Sequence, residues 1–300
     1  SAYPDTQYMT GIGSGDTRRA AEQSAMAGLS QIFESQISVD VNTAERYRDL
    51  VSSSGSVSES ELMLAQSTSV QSNQTLLNVQ FGEAAVDGEG RVHVIAYIDR
   101  AATGRIYQDL IEKNGRIVSE YLEDYQGASD PIRRFAYISA AAVVAQSNAL
   151  LLDQLRIISE PFYAMTSITY SQREVQQEKV DTASGMTIKI DIAGDDGARV
   201  ANAVKEALSS ERFPTADPAL ITIQGEVRME PIDLNPKYKS VRWYLNLDFI
   251  GPDGRALVTY DNQDRASAVT EESARSFAYD DINKAVSKDF IGSVRGYFDG

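Results

Sequence analysis

Apolar positions in the first third of the chain alternate in some stretches and recur at helical spacing in another. Residues 8–12 alternate as a short strand. Three glycines at and after the end of this strand predict a tight turn: Gly11, Gly13 and Gly15. Small apolar residues then recur every three or four positions, which predicts a helix over residues 16–33 with Asp16 as its N-cap. The pattern therefore predicts a sheet with one helix packed closely on it.

Further alternating stretches supply the partners of that first strand. Residues 76–81 and 92–98 form a predicted β-hairpin around a Gly/Asp turn at residues 87–90. Residues 37–41 also alternate as a strand, and residues 61–74 favour a polar strand over a short helix.

Two long helical stretches follow the predicted hairpin. Residues 101–124 form the first, and residues 131–159 form the second, with Asp130 as its cap and Pro131 at its first position. Residues 138–152 are apolar nearly all round, which predicts a buried helix. No uninterrupted apolar run approaches the roughly 20 residues of a membrane span.

The second half of the chain predicts another sheet packed by helices. Polar residues 166–185 are a predicted passage between domains, and a strand at 188–192 leads to a helix opened by Asp195, Asp196 and Gly197. A final helix starts from a Thr270 cap. The predicted strands between these helices are residues 220–229, 241–250 and 256–261.

These patterns predict an α+β fold with two domains, each a small, mostly antiparallel sheet packed by helices. The first domain is predicted at residues 1–160 and includes the helical hairpin at about 101–159. The second is predicted at residues 161–300, in the order strand, helix, three strands and helix.

Charge and composition exclude several classes of function for this chain. The chain has 300 residues, a net charge of -15, no cysteine and one histidine, His93. The charge repels nucleic acids and anionic membrane surfaces. The lack of cysteine excludes disulfides, thiolate metal sites and cysteine nucleophiles.

Three patterns invite a chemical interpretation, and each has a plainer one. The glycines before the first helix suggest a phosphate-binding loop, but Asp16 stands where the dinucleotide fingerprint needs its third small residue. His93 has no metal-binding or nucleophilic partner in any recognisable motif, which favours a surface or interface role. Adjacent acidic residues on a helix diverge and cannot flank one bond, which disfavours a paired-carboxylate site at Asp195 with Asp196, Glu271 with Glu272, or Asp280 with Asp281. The first two pairs favour helix-start positions.

The sequence thus predicts no catalytic residue, no cofactor and no metal site. Tyrosine is enriched at protein interfaces, and the chain has 15 tyrosines. Four of them are the candidate interface residues: Tyr3, Tyr8, Tyr238 and Tyr244.

Residues 3–107 resemble a known family. The resemblance is carried by Tyr3-Pro4-Asp5, Tyr8, Gly11-Ile12-Gly13, the helix with Ala20, Ala25, Leu29 and Ile32, residues 75–79, Gly90 and residues 92–100. This order and spacing are similar to the LPP-twenty lipoproteins and to the N-terminal domain of the flagellar T-ring assembly protein. The resemblance implies a bacterial envelope protein, often lipid-anchored at an upstream cysteine that is absent from this chain.

Residues 186–297 more faintly resemble penicillin-binding-protein activator lipoproteins and the curli secretion lipoprotein. Residues 221–227 and 244–247, followed by Gly254, carry this likeness. These families work as assembly and docking modules and supply no catalytic residues to transfer.

The sequence and the resemblance together predict a non-enzymatic lipoprotein module of the cell envelope, in the periplasm or at the outer membrane. Its expected partner is an envelope protein or a cell-wall component, not a nucleic acid. A small-ligand or glycan-binding module, with peptidoglycan as one expected ligand, is the alternative. The start at Ser1, without methionine, is what we expect of a mature chain that has lost its targeting segment, or of a trimmed chain.

Overall fold

The computed structural model describes residues 2–34, 76–235 and 237–299. The chain forms two compact units, and each combines a four-stranded sheet with helices, which confirms the predicted α+β class. The first unit comprises Ser1–Leu122 and Ala140–Val175, and the second comprises Glu123–Ser139 and Gln176–Gly300. The predicted strands at 37–41 and 61–74 lie outside the described residues.

The sheet of the first unit is built around one central strand. Strands β1 (Tyr8–Gly15), β2 (Gln80–Phe81) and β3 (Ala85–Val86) all pair antiparallel with β4 (Val92–Asp99). Helix α1 (Arg18–Glu34) packs against β1 and β4 on one face of this sheet.

The glycines of β1 do not form the predicted tight turn, because all three lie inside the strand and face α1. A Cβ atom at Gly13 would overlap the backbone N of Ala25, and one at Gly11 would lie 2.7 Å from the backbone N of Leu29. The helix backbone therefore rests directly on the strand, and it fills the space that a bound phosphate would need.

The start of α1 also differs from the prediction. Thr17, rather than Asp16, caps the helix, since its Oγ1 accepts a hydrogen bond of 3.2 Å from the backbone N–H of Ala20. The strand runs on through Gly15, which moves the helix start one residue further along.

The first strand of the predicted hairpin is shorter than residues 76–81. Asn78 has a left-handed φ of 56°, which breaks the alternation and leaves only β2 as strand. Leu76 and Leu77 are buried in the core instead, and Tyr107 Oη accepts a hydrogen bond of 3.2 Å from the backbone N–H of Leu77. The predicted turn between β3 and β4 is confirmed, with the backbone N–H of Gly90 donating to Asp87 O.

The two predicted long helices are confirmed as α2 (Arg100–Gly127) and α3 (Pro131–Ile158). Asp130 caps α3 as predicted, because its Oδ1 accepts from the backbone N–H of Arg133 at 2.8 Å. By length and composition α3 could cross a membrane, although its apolar character is spread along the helix and no single run is long. Its most apolar window is 67% buried inside the protein, as in the core helix of a soluble protein.

Two short helices occupy the stretch after α3. Helix α4 (Glu160–Met165) carries Pro161 in its first turn, and α3 ends at Ile158, just before this proline, close to the predicted end. Helix α5 (Gln172–Ser184) replaces much of the predicted polar passage at 166–185. It buries little beyond Val175 and Ala183, so its apolar periodicity is too weak to be seen in the sequence.

The second unit contains a mixed sheet with helices. Strand β5 (Ile188–Ala193) pairs parallel with β6 (Ile221–Asn235), and the remaining pairs in the order β5-β6-β7-β8 are antiparallel. All three later strands are longer than predicted. The other elements are α6 (Arg199–Ser210), β7 (Tyr238–Ile250), β8 (Ala256–Ala268), α7 (Glu271–Ala285), a π-helical turn (Val286–Phe290) and α8 (Ile291–Asp299).

The helices of the second unit cover one face of its sheet. Alternate residues of β7, including Trp243 and Phe249, are buried on this face. Phe298 packs edge-on against Phe249 at a ring distance of 5.9 Å and against Phe135 at 4.8 Å. The opposite face of the sheet therefore carries the polar residues of the same strands.

We expect Gly13→Ala to destabilise the first unit by about 3 kcal/mol, because the new methyl group forces α1 away from β1. Gly115→Ala is the matched control, since a Cβ there meets nothing within 4 Å. This control should stabilise α2 by roughly 0.5–1 kcal/mol. Urea unfolding followed by circular dichroism measures both, and equal stability of the two variants would contradict the close-packing argument.

Candidate functional site

The four candidate tyrosines fall on two surfaces, one in each unit. Tyr8 lies on β1 of the first sheet and Tyr3 lies in the segment before it, and both contact a third tyrosine, Tyr97, that sequence reasoning missed. Tyr238 and Tyr244 lie on β7 of the second sheet. Tyr97 could be found only from strand register, since β4 places it opposite Thr10 of β1.

The three tyrosines of the first unit form one aromatic cluster. The ring of Tyr3 lies 5.4 Å from that of Tyr8 and 4.6 Å from that of Tyr97, and Tyr8 and Tyr97 are 5.7 Å apart. The backbone N–H groups of Gln7 and Tyr8 both donate to Pro4 O, and this turn holds Tyr3 next to the strand. Tyr97 Oη also donates to Gln80 Oε1 at 2.9 Å.

The cluster continues into an apolar patch on the side of the sheet that faces away from α1. We call this surface the outer face of the first sheet, and define it by Tyr8, Ile12, Ile95 and Tyr97 together with Tyr3. Ile12 is paired with Ile95 and is 77% exposed. A single exposed isoleucine is common on a protein surface, but an isoleucine that continues a cluster of three tyrosines adds to an apolar patch, and such patches mark interaction sites.

Acidic side chains border the outer face of the first sheet. Asp5, Glu83, Asp87 and Glu89 are all exposed in the loops next to these strands. Asp87 Oδ2 lies 2.7 Å from His93 Nε2, and this hydrogen bond is the main cause of the lowered pKa of Asp87. His93 is thus a surface residue that orders a turn, as the sequence favoured.

The first unit also has a cleft of about 760 Å³ where β4 joins α2. Arg100 lines it, and its guanidinium donates to Asp5 O, Ile157 O and Ile158 O at 3.0, 3.1 and 2.7 Å. These carbonyl groups occupy three of the five N–H donors of Arg100, so the arginine ties the N-terminal segment to the end of α3. The cleft is therefore better explained as a structural junction than as an anion site.

The second surface combines tyrosine with arginine on the polar face of the second sheet. Tyr244 is half-buried, and the guanidinium of Arg228 lies 5.2 Å from its ring centroid. Arg242 on β7 is paired directly with Arg265 on β8. Glu230 on β6 is paired with Arg242 on its other side, and Glu226 lies 3.6 Å from Arg228, so positive and negative side chains alternate on this face. Tyr238, at the start of β7, is 42% exposed.

The acidic pairs serve helix starts and surface ion pairs. Asp195 caps α6, with its carboxylate accepting from the backbone N–H groups of Val200 and Ala201 at 3.0 and 2.8 Å. Glu271 pairs with Arg275, and Asp281 pairs with Lys284. Within residues 2–34, 76–235 and 237–299, no three His, Asp or Glu side chains are grouped so that they could hold a metal ion.

Comparison with known proteins gives only distant likenesses. No protein-family profile and no curated protein matches the chain. A secreted protein of Helicobacter pylori is similar in structure, with 16% identity and a TM-score of 0.43 over 96% of this chain and 98% of that chain. A minor lipoprotein of Acinetobacter baumannii shares 12% identity, with a TM-score of 0.31 over 36% of this chain and 94% of that chain. Neither likeness is close enough to carry an argument about function.

We expect the turn at Asp87 to loosen as the pH falls. The folded state lowers the pKa of Asp87, so the stabilisation is present above the unfolded value of about 3.8 and is lost as the pH falls through the folded pKa. The protection of the Glu89 and Arg91 amides, which donate to Asp87 Oδ1 at 3.0 and 2.9 Å, should fall over that range in hydrogen-exchange NMR.

Asp87→Asn should reduce the protection of these amides at pH 6 and make it nearly independent of pH. Glu83→Gln removes one negative charge from the same border and is the matched control. If the wild-type and Asp87→Asn proteins show the same pH dependence, the carboxylate of Asp87 does not order this turn.

Proposed function

We propose that this protein is a non-enzymatic module of the bacterial cell envelope that docks another protein through the outer face of the first sheet. The observation that carries the proposal is the 77% exposure of Ile12 beside the Tyr3, Tyr8 and Tyr97 cluster. Tyrosine and exposed aliphatic side chains supply the apolar centre that protein interfaces need.

Charge indicates what kind of partner fits this face. The border carries Asp5, Glu83, Asp87 and Glu89, and the whole chain has a net charge of -15. We therefore infer that the partner is a protein whose contact surface has an apolar centre surrounded by lysine or arginine. Such complementarity raises the association rate and excludes acidic competitors.

The envelope location rests on the resemblance of residues 3–107 to the LPP-twenty lipoproteins. That family implies export and, in many members, a lipid tether at a cysteine upstream of this chain. The periplasm and the outer membrane are both consistent with it, and fractionation of the native protein from its own cells distinguishes them. A robust catalytic turnover that disappears on changing one residue would overturn the non-enzymatic assignment.

We expect Ile12→Glu to lower partner affinity about tenfold or more, because burying an isoleucine contributes roughly 1.5–3 kcal/mol and the glutamate adds a desolvation cost. The readout is site-specific photocrosslinking in the native cells from Thr10, which neighbours Ile12 on the outer face. The crosslinked protein is identified by mass spectrometry, and its affinity for the purified variants is then measured.

Val269→Glu is the matched control, since Val269 is 74% exposed but belongs to the second unit. It should bind as well as the wild type, and raised salt should weaken binding of both proteins. Equal binding by the Ile12→Glu and wild-type proteins would refute docking at this face. A crosslinked partner with an acidic contact surface would refute the charge argument.

A further inference from the structure

We propose that two copies of this chain pair through the second sheet, with strand β8 of one copy antiparallel to β8 of the other. β8 ends the order β5-β6-β7-β8, and in the part of the chain that the structure describes it pairs only with β7. We call its other side the free edge. Natural edge strands are usually short, because their unpaired backbone groups are a template for another strand, and β8 has 13 residues. The inference concerns the second unit alone and does not depend on docking at the first sheet.

Backbone groups of β8 point towards the free edge. The N–H of Arg265 donates to the carboxylate of Asp264, the residue before it, at 2.8 Å, which indicates that this donor points away from β7. In an antiparallel strand the backbone groups of alternate residues point to the same side. The N–H and C=O groups of Asp261, Gln263 and Arg265 are therefore directed at the free edge, where a second strand can bind them.

The charges of β8 are arranged for antiparallel pairing with a copy of itself. Asp261 and Arg265 lie on the same face of the strand, at equal distances on either side of Gln263. When Gln263 of one copy lies opposite Gln263 of the other, Asp261 of each copy lies opposite Arg265 of the other. A two-fold axis repeats every contact, so opposite charges face each other twice, and such cross-strand pairs stabilise a sheet.

The second copy supplies a carboxylate that Arg265 lacks within its own sheet. Arg265 lies opposite Arg242, and like charges in this position are unfavourable. Glu230 is paired with Arg242 on the far side of β7, so it does not stand beside Arg265. Asp261 Oδ1 accepts from the side-chain amide of Asn246 at 2.8 Å, and the carboxylate has a second oxygen for Arg265 of the other copy.

Other registers that keep the same faces together are less favourable. Placing the two-fold axis at Asp261, Asp264 or Arg265 sets like charges opposite each other. Placing it at Asn262 sets Arg265 opposite Thr259, which carries no charge. With the axis between the two copies of residue 263, by contrast, the amide of Asn262 lies opposite the carboxylate of Asp264, which it can bind.

An exposed phenylalanine lies on the side of α7 that faces the free edge. Phe277 is 52% exposed. Tyr279 lies about 160° away from it round the helix. The hydroxyl of Tyr279 accepts a hydrogen bond from the backbone N–H of Asp196, which follows β5 at the opposite edge of the sheet. Phe277 therefore points past β8, where the second copy brings Tyr260 opposite Ala266 on the face that α7 covers.

A single cysteine tests the register, because the chain has no cysteine of its own. Gln263→Cys places two thiols opposite each other, within the Cα separation of about 4.4–6.8 Å that a disulfide spans. Under mild oxidation the full chain should form a disulfide-linked dimer on non-reducing electrophoresis. Thr259→Cys is the matched control, exposed on the same face. Thr259 lies opposite Ser267 in this register, so its two copies are about 26 Å apart and should crosslink at least about tenfold more slowly.

Charge reversal tests the pairing of Asp261 with Arg265. Asp261→Arg and Arg265→Asp should each raise the Kd of the dimer about tenfold or more, because both symmetric pairs change from attraction to repulsion. An equimolar mixture of the two variants should restore association, since opposite charges then face each other at both positions. Sedimentation velocity of the full chain at up to about 100 µM measures these Kd values.

Four results would overturn the proposal. A wild type that stays monomeric would leave the free edge for an extended segment of another protein. Equal disulfide formation at positions 263 and 259 would show that the copies meet only by collision. A mixture of the charge-reversed variants that stays monomeric would exclude this register. Ile12→Glu changes the first unit and should leave the Kd unchanged, so loss of the dimer in this variant alone would assign self-association to the outer face of the first sheet.

Discussion

The contact between the glycines of β1 and the backbone of α1 determines how the first unit is built. With Gly13 against Ala21 and Ala25, the helix lies so close to the strand that no larger side chain fits between them. Three of the four inward positions of β1 are therefore glycine, and Met9 is the large inward side chain of this strand. The other large side chains, Tyr8 and Ile12, alternate to the opposite side and contribute to the outer face.

Much of this fold can be predicted from local sequence patterns, because apolar residues recur every three or four positions in the helices and every second position in the strands. The prediction of a glycine turn was wrong for a physical reason. Glycine favours turns, but glycines two residues apart also match the period of a strand. The alanine-rich helix that packs on them shows that the strand is correct. The left-handed backbone conformation of Asn78 interrupts the predicted strand, and the pattern of apolar residues does not reveal this conformation. Helix α5 was missed because it buries too little.

The candidate surfaces were only half predictable, because they depend on which strands are neighbours. Tyr3 and Tyr8 stand out by composition, whereas Tyr97 joins them only through the antiparallel register of β1 and β4. Arg242 and Arg265 are separated by more than twenty positions in the sequence and meet through the register of β7 and β8. Glu230 joins them from β6, and the net charge of -15 reveals nothing of such a local arrangement.

The two sheets leave different surfaces exposed because their inner faces are filled in different ways. In the first unit the inward glycines of β1 let α1 approach closely, and the outward residues Tyr8 and Ile12 make an apolar face. In the second unit Trp243 and Phe249 fill the space beneath the helices. The outward positions of β7 are polar, and Arg242 lies between Glu230 of β6 and Arg265 of β8. The size of the inward side chains of each strand therefore determines how closely a helix packs on it, and the outward side chains determine what the exposed face can bind.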